Sequence, residues 1–183
     1  MNVNVRKASE ADRQAVLDVI VAAFGDAQGH EIAELVSDLL ADASAQPLLS
    51  LVATINESVV GYVLYTNVRI EGSTQPVCAS ILAPLAVDTE YQNVGIGGQL
   101  INEGLKLLKQ AGVDLVFVLG HPGYYPKYGF APAGLTVFEA PYPIAAENSD
   151  AWMVQELRSG IVGHISGRVA CADALSDPKY WVE

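Results

Sequence analysis

The feature that most constrains the fold is an apolar strand pattern that leads into a glycine-rich turn and then into an amphipathic helix. Residues 77–87 form the apolar run, and the turn Gln92-Asn93-Val94-Gly95-Ile96-Gly97-Gly98 follows it. After the turn, apolar residues recur at helical spacing and predict a helix over about residues 97–111 with one buried face. These apolar residues are Leu100, Ile101, Leu105 and Leu108. The pattern is typical of a sheet that carries a helix packed on one face.

Strand and helix patterns alternate over the rest of the chain. Strands are predicted over residues 3–7, 48–55, 59–67 and 113–119, and helices over residues 9–25 and 29–41. Shorter strand-like pieces follow at residues 136–140, 152–157 and 167–172. We therefore expect residues 1–183 to form a single mixed α/β domain with a central sheet.

Pro84 lies inside the apolar run 77–87 and marks an irregularity in that strand. Proline has no N–H group to donate to a neighbouring strand. Its position therefore predicts a bulge or an unpaired edge.

Composition and charge narrow the classes of function. The chain is 51% hydrophobic and 17% charged, as expected of a folded soluble protein. Its net charge of −11 argues against nucleic-acid or anionic-membrane partners, which bind clustered Lys and Arg, and is compatible with a cationic substrate. No apolar run approaches the length of a membrane span, so a cytoplasmic location is expected.

Cys78 and Cys171 are the two cysteines of the chain. They lie far apart in sequence and form no CxxC pair, so the spacing predicts neither a zinc site nor a disulfide framework. Both have apolar neighbours, and we expect two buried thiols.

Three kinds of phosphate-binding turn can be compared with residues 92–98, because glycines at a helix N-terminus suit a phosphate. A P-loop requires Lys and Ser or Thr after its last glycine, and neither follows Gly98. A dinucleotide-binding turn requires a third glycine where Leu100 stands. The third kind, Gln/Arg-x-x-Gly-x-Gly/Ala, is matched by Gln92, Gly95 and Gly97. A mononucleotide- or dinucleotide-binding domain is therefore disfavoured.

The third pattern is the pyrophosphate turn of the GNAT acetyltransferases, and the chain resembles that superfamily, in particular its small bacterial branch. Leu82-Ala83-Pro84-Leu85-Ala86-Val87 is similar to the strand before the turn, and Tyr125-Pro126-Lys127-Tyr128-Gly129-Phe130 is similar to a later tyrosine turn. The resemblance implies a GNAT fold of α/β type. In that fold, a twisted, mostly antiparallel mixed sheet carries helices on both faces and is split by the coenzyme.

The resemblance also implies acetyl-CoA as the acetyl donor, used as a co-substrate without a metal. The exposed backbone of Leu85, Ala86 and Val87 would pair with the pantetheine arm. The amides of the turn would hold the pyrophosphate; they belong to Gln92, Asn93, Val94, Gly95, Ile96, Gly97 and Gly98. The alternative is a plain strand-to-helix turn whose glycines serve packing.

Tyr125 is implied by the resemblance to point at the coenzyme sulfur. A phenol with a pKa of about 10 can protonate a leaving thiolate whose pKa is about 8.5. Tyr124 and Tyr128 are interpreted as partly buried aromatics whose hydroxyls reach the surface. The segment Gly120-His121-Pro122-Gly123 replaces a helix common in the family, and we expect a loop there.

A general base is not evident in the sequence. Asp88 lies at the far end of the strand, close to the expected phosphates. His121 is either a base or a turn histidine. Glu31, Glu34 and Asp38 lie on the second helix, which borders the acceptor groove in this fold, and solvated helix-face charges also explain them.

The expected function is acetyl-CoA-dependent N-acetylation of a primary amine, on a small molecule or a protein, by direct transfer. The alternative is a non-catalytic acyl-CoA-binding or sensing domain that kept the turn and lost the chemistry. The apolar C-terminal strands either mediate a homodimer or complete the core.

Overall fold

The computed structural model describes residues 1–135 and 137–182, and within them one mixed sheet carries three α-helices. The strands are β1 (Val3–Lys7), β2 (Leu49–Ile55), β3 (Ser58–Glu71), β4 (Ala79–Val87), β5 (Leu115–Leu119), β6 (Ala131–Pro132), β7 (Phe138–Glu139), β8 (Trp152–Glu156) and β9 (Gly167–Ala170). The helices are α1 (Arg13–Phe24), α2 (Asp26–Ala41) and α3 (Ile96–Gln110).

The sheet has the spatial order β1-β2-β3-β4-β5-β8-β6, while β9 pairs with the far end of β3 and with β7. The pairs β4–β5 and β7–β9 are parallel, and the other described pairs are antiparallel. The mixed, mostly antiparallel sheet predicted from the sequence is therefore confirmed.

Helices cover both faces of the sheet, also as predicted. Successive residues of β3 point to opposite faces, so Tyr62 and Leu64 pack with α1 and α2, whereas Val63 and Tyr65 pack with α3. All four of these β3 side chains are buried. A strand buried on both faces has no polar alternation, which explains its nearly continuous apolar sequence.

The pairing of β4 is interrupted in its middle. On the β3 side, Val63 pairs with Leu85 and Tyr65 pairs with Leu82, so β4 carries one extra residue at Ala83–Pro84. The bulge predicted from Pro84 is therefore present. On the other side, the parallel pairing with β5 ends at Ile81↔Phe117. Beyond that pair the two strands separate, and residues 82–87 keep only β3 as a described strand partner.

Asp114 ties the strands together at the end where they remain paired. One carboxylate oxygen accepts a hydrogen bond from the Cys78 N–H at 3.0 Å, and the other accepts one from Arg158 Nε at 2.6 Å. Its N–H donates to the Cys78 carbonyl, and its carbonyl accepts from the Leu157 N–H. The start of β4, the start of β5 and the end of β8 are thereby held at one point.

Two predicted boundaries were wrong for identifiable reasons. Gly29, predicted to start the second helix, lies inside α2, where a Cβ would come within 2.6 Å of Val21 Cα in α1. This glycine allows α1 and α2 to approach closely. The strand predicted to end at residue 67 continues to Glu71 because its last residues pair with β9.

The C-terminal half shows further differences from the prediction. The short strand β6 was missed. Of the strand predicted over residues 136–140, Phe138 and Glu139 form β7, Val137 and Ala140 are not in a strand, and Thr136 lies outside the described residues. Trp152, Met153 and Val169 are fully buried, so strands β8 and β9 complete the core of this chain. The homodimer stays a prediction. Cys78 is exposed, contrary to the expected buried thiol, and Cys171 is half-buried.

The described helices can be compared with the requirements for a membrane span. None of those within residues 1–135 and 137–182 combines the length and apolar content that a bilayer span requires.

Replacing Asp114 with Asn should lower the free energy of unfolding by about 1–3 kcal/mol at pH 7. The Arg158 hydrogen bond, opposed by burial and aided by the Cys78 N–H, holds the pKa of Asp114 below its usual range. A lowered folded-state pKa stabilises the protein above the unfolded value of about 3.9, and this stabilisation is lost as pH falls through the folded pKa. Urea unfolding at pH 7 and pH 3 measures the difference, which should shrink at pH 3.

The matched control is Asp38→Asn, on an exposed part of α2. We expect it to change stability little at either pH. A cost for Asp114→Asn that is equal at both pH values would show that the ionised carboxylate is unimportant.

Candidate active site

Two cavities flank the separated end of β4. The first, called the loop cavity, has a volume of about 500 Å³ and lies between the end of β4, the turn before α3 and the tyrosine turn. The second, called the α2 cavity, has a volume of about 450 Å³ and lies between β4, β5 and α2. Leu85 and Tyr124 line both cavities, so the two spaces meet at the gap between β4 and β5.

The backbone from Leu85 to Val87 forms the edge of this gap. It pairs with β3 through Leu85↔Val63, Ala86↔Tyr62 and Val87↔Gly61. Its opposite edge has no β5 partner, because the β4–β5 pairing ends earlier. An unpaired strand edge presents N–H and C=O groups that an extended ligand can bind as an added strand.

The turn before α3 has a fixed shape. The Gln92 side chain donates from Nε2 to the Val87 carbonyl at 2.8 Å, which joins the turn to the last residue of β4. Gly95 has φ +90°, a left-handed conformation that favours glycine, and α3 begins at the next residue. The first N–H groups of a helix lack an intrahelical acceptor, so they are available to an anion.

Most of the predicted coenzyme residues lie around the loop cavity. Its lining includes Leu85, Val87, Gln92, Asn93, Gly95, Ile96 and Gly97. The other three predicted residues are placed differently. Ala86 points into the α1–α2 side of the core, Val94 is exposed, and Gly98 is covered by Tyr128. Ala86 and Gly98 can therefore take part in coenzyme binding only through their backbone, whereas the Val94 side chain is accessible.

Gly97 and Gly98 are sites of close contact with tyrosines. A Cβ at Gly97 would overlap the hydroxyl of Tyr124, and a Cβ at Gly98 would lie 2.6 Å from the hydroxyl of Tyr128. Both glycines are buried in the first turn of α3. Packing is therefore one reason for these two glycines, in line with the alternative interpretation of the turn.

The three tyrosines form one edge-to-face cluster. Tyr124 lies 5.1 Å from Tyr125 and 5.3 Å from Tyr128 between ring centroids. Burial raises the pKa of Tyr124 above its ordinary value, and its hydrogen bond with Tyr128 raises that pKa further. Tyr124 and Tyr128 are half-buried as predicted, and their hydroxyls lie close to the first turn of α3. Sequence reasoning missed this contact because residues 97 and 124 are distant along the chain.

Tyr125 lies on the side of the α2 cavity, next to the gap between the strands. Its ring packs against Gly120, where a Cβ would overlap the ring, and it stands edge-on to Phe130 at 5.7 Å. The segment before it, residues 120–123, contains no helix, which confirms the expected loop. The ring position of Tyr125 is therefore set by contacts on several sides.

His121 also lines the α2 cavity, but its ring is oriented by a local bond. Its Nδ1 accepts a hydrogen bond from the Gly123 N–H at 3.0 Å. In the neutral imidazole the proton then resides on Nε2, which is a donor. This arrangement disfavours His121 as the base that removes a proton from a substrate.

The acidic residues considered as general base differ in whether they line a cavity. Glu31 is the one carboxylate among the described residues that line the α2 cavity. Glu34, Asp38 and Asp88 do not line either cavity, and the Asp88 carboxylate instead accepts the Glu90 N–H at 3.0 Å. Among the described residues, no group of three or more His, Cys, Asp or Glu side chains is placed to hold a metal ion.

Lys127 is the one charged side chain among the described residues that line the loop cavity. Its ammonium group lies 5.4 Å from the centroid of the Tyr124 ring. Sequence reasoning did not assign this lysine a role. Its position brings a positive charge to the same cavity as the first turn of α3.

The chain is similar to known proteins over most of its length. Residues 4–133 match the family model described as an acetyltransferase (GNAT) domain. The chain is 42% identical over 165 residues to the uncharacterized N-acetyltransferase YjhQ of Escherichia coli K12, covering 90% of this chain and 89% of that protein.

Two solved structures are also similar. One is the GNAT-family N-acetyltransferase YhbS of E. coli in complex with CoA, with a TM-score of 0.85 and 28% identity over 97% of this chain and 93% of that chain. The other is a GNAT-family acetyltransferase of Brucella melitensis in complex with acetyl-CoA. It has a TM-score of 0.73 and 29% identity over 94% of this chain and 97% of that chain.

Replacing Gly97 with Ala should destabilise the protein by about 1–3 kcal/mol, because the new Cβ would overlap the Tyr124 hydroxyl. Adding Tyr124→Phe should restore much of that loss, since the next nearest atoms lie 3.7 Å away. A double-mutant cycle measured by urea unfolding gives the coupling free energy.

The matched pair is Gly98→Ala with Tyr128→Phe. Here a Cβ would lie 2.8 Å from a ring carbon as well as close to the hydroxyl, so removing the hydroxyl should not rescue the variant. Equal rescue in both pairs, or in neither, would contradict the predicted contacts.

Proposed function

Because the chain belongs to the GNAT family of acetyltransferases, we propose that it transfers the acetyl group of acetyl-CoA directly to a primary amine, with Tyr125 as the general acid. The observation that supports this most strongly is the junction of the two cavities at the gap between β4 and β5. Donor and acceptor can approach that gap from opposite sides. The same proposal places the reaction in the cytoplasm.

The loop cavity fits the coenzyme. The unpaired edge of Leu85, Ala86 and Val87 suits the pantetheine arm, whose amides can bond to it as a strand would. The turn amides from Gln92 to Gly98 suit the pyrophosphate at the start of α3. When bound, the coenzyme supplies an acetyl thioester, whose carbonyl carbon is attacked by amines.

Direct transfer is supported by the side chains around both cavities. Among the described lining residues, there is no Cys, Ser or Thr that could carry the acetyl group. Cys78 lies by a different cavity, next to the end of α3. The amine nitrogen therefore attacks the thioester without an acyl-enzyme step.

Tyr125 is proposed to protonate the departing sulfur. Forming the amide removes one proton from nitrogen and breaks the C–S bond, and the thiolate gains one proton, so the overall reaction is proton-neutral. A phenol is protonated at neutral pH and is a competent donor to a thiolate. The attacking amine releases one proton to solvent. The Tyr125 phenolate then regains a proton from solvent.

The activity itself is tested by measuring free thiol released from acetyl-CoA in the presence of amines, with coenzyme binding measured separately by calorimetry. We expect amine-dependent thiol release. Coenzyme binding without any such release would contradict acetyl transfer and would favour the non-catalytic acyl-CoA-binding domain.

Changing Tyr125 to Phe should lower kcat by roughly 10²- to 10⁴-fold, the range of general acid catalysis, with little change in the Kd for acetyl-CoA. Steady-state thiol release and calorimetry measure the two quantities. Tyr142→Phe is the matched control, because Tyr142 packs near Trp181 and lines neither cavity. An unchanged kcat in the Tyr125 variant would remove this residue from the mechanism.

Changing Lys127 to Met should raise the Kd for acetyl-CoA by roughly threefold to tenfold and weaken its dependence on salt, because one charge facing the phosphates is lost. Lys109→Met is the control, since Lys109 lies in the last turn of α3, outside the loop cavity. Equal Kd values and equal salt dependence in wild type and Lys127→Met would show that this lysine does not contact the phosphates.

A further inference from the structure

The α2 cavity has mainly apolar walls. Of its described lining residues, the charged or amide side chains are Gln28, Glu31 and Lys179, with His121 as a further polar group. The helix α2 contributes Gln28, Glu31, Ile32 and Leu35, which lie on one helix face at helical spacing. The strands contribute leucine, valine, alanine and proline side chains. A ligand in this space therefore contacts hydrocarbon over most of its surface.

The far wall of the α2 cavity comes from the C-terminal part of the chain. Leu175, Lys179, Tyr180 and Val182 line it. They lie beyond residues 4–133, which match the family model, whereas the loop cavity is lined only by residues between 85 and 128. The acceptor side thus depends on a segment outside the matched domain, while the coenzyme side lies within it.

This C-terminal wall is held in place by specific contacts. The N–H of Asp173 donates to Ser44 Oγ, and the N–H of Ala174 donates to an Asp42 carboxylate oxygen, each at 2.9 Å. The indole N–H of Trp181 donates to the Leu175 carbonyl at 2.9 Å, and its ring stands 5.8 Å from that of Trp152. The wall is therefore a built part of the fold, so it can define the shape of a ligand.

The two charged side chains among the described residues that line the α2 cavity have opposite signs and lie close together. Lys179 Nζ lies 3.6 Å from a Glu31 carboxylate oxygen, and both side chains are about half exposed. Glu31 is the sole described carboxylate in the lining, and it is already paired. A ligand with a second ammonium group would find no unpaired acid among the described lining residues, and placing that charge against hydrocarbon is costly.

We infer that the acceptor is a primary amine on an apolar, aromatic or branched aliphatic body with no second cationic group; this rests on the proposed acetyl transfer. The cavity volume of about 450 Å³ is in the range of small-molecule sites. The whole-chain charge of −11 is compatible with a cationic substrate, but the charges of the described lining residues oppose a polycation.

The apolar lining of the α2 cavity also explains how the reaction can proceed without a general base assigned to the acceptor amine. Burial disfavours the charged form of an amine and so lowers its pKa. An ammonium group that enters an apolar cavity therefore loses its proton more readily, and a strong base is not required. An apolar acceptor would thus be both held and activated by the α2 cavity.

The test is a comparison of 2-phenylethylamine, 1,4-diaminobutane, spermidine, an aminoglycoside and a lysine-containing peptide as acceptors, by thiol release at a fixed acetyl-CoA concentration. We expect kcat/KM for 2-phenylethylamine to exceed that for each of the others by roughly tenfold or more, from hydrocarbon burial and the unpaired second charge. A polyamine, aminoglycoside or peptide as the best acceptor overturns this inference and leaves acetyl transfer intact. Coenzyme binding with no acetylation of any amine overturns the proposed function as well.

A variant tests the role of charge. Lys179→Met leaves the Glu31 carboxylate unpaired, so the ratio of kcat/KM for 2-phenylethylamine to that for 1,4-diaminobutane should fall by roughly twofold to fivefold. Lys106→Met is the matched control, because Lys106 pairs with Glu103 on α3, away from the cavity. Unchanged coenzyme affinity verifies that both variants are folded. An equal ratio in wild type and Lys179→Met overturns the assignment of this charge pair to acceptor selection.

Discussion

The separation of β4 from β5 is the constraint on which the rest of the structure depends. Pairing stops at Ile81↔Phe117, although both strands continue. Unpaired backbone groups inside a protein are costly unless water or a ligand satisfies them. Under the proposed acetyl transfer, the pantetheine arm of the coenzyme would supply the hydrogen-bond partners that β5 does not provide in the gap. The bulge at Ala83–Pro84 lies where the gap begins, and the contacts of Asp114 hold the strands together at their paired end.

The contacts around the gap determine what can enter it. Gly97 and Gly98 let Tyr124 and Tyr128 lie directly on the first turn of α3, and the cluster of rings then positions Tyr125. A single set of aromatic contacts thus links the loop cavity to the α2 cavity. The proposed acid is held by packing from Gly120 and Phe130 and does not depend on a flexible loop.

Local patterns in the sequence predicted the strand, turn and helix around the loop cavity well. The turn Gln92–Gly98 and the proline bulge depend on the conformations and missing donors of individual residues, which are readable along the chain. Features that depend on distant contacts were missed. Gly29 was predicted to start a helix, but it lies where α1 and α2 come into close contact. The predicted β3 was too short because its partner β9 lies far along the chain. The positions of Lys127 and Lys179 at the two cavities were likewise not predictable from spacing.

The different origins of the two cavities have a consequence for how such an enzyme can diverge. The loop cavity is lined only by residues between 85 and 128, whereas the α2 cavity also takes side chains from α2 and from the segment ending at Val182. Substitutions in α2 or in the C-terminal segment change one side and leave the other in place. Under the proposed acetyl transfer, a duplicated gene could therefore change its acceptor through substitutions in these two segments, which line the α2 cavity alone, while Leu85 and Tyr124, which line both cavities, stay in place.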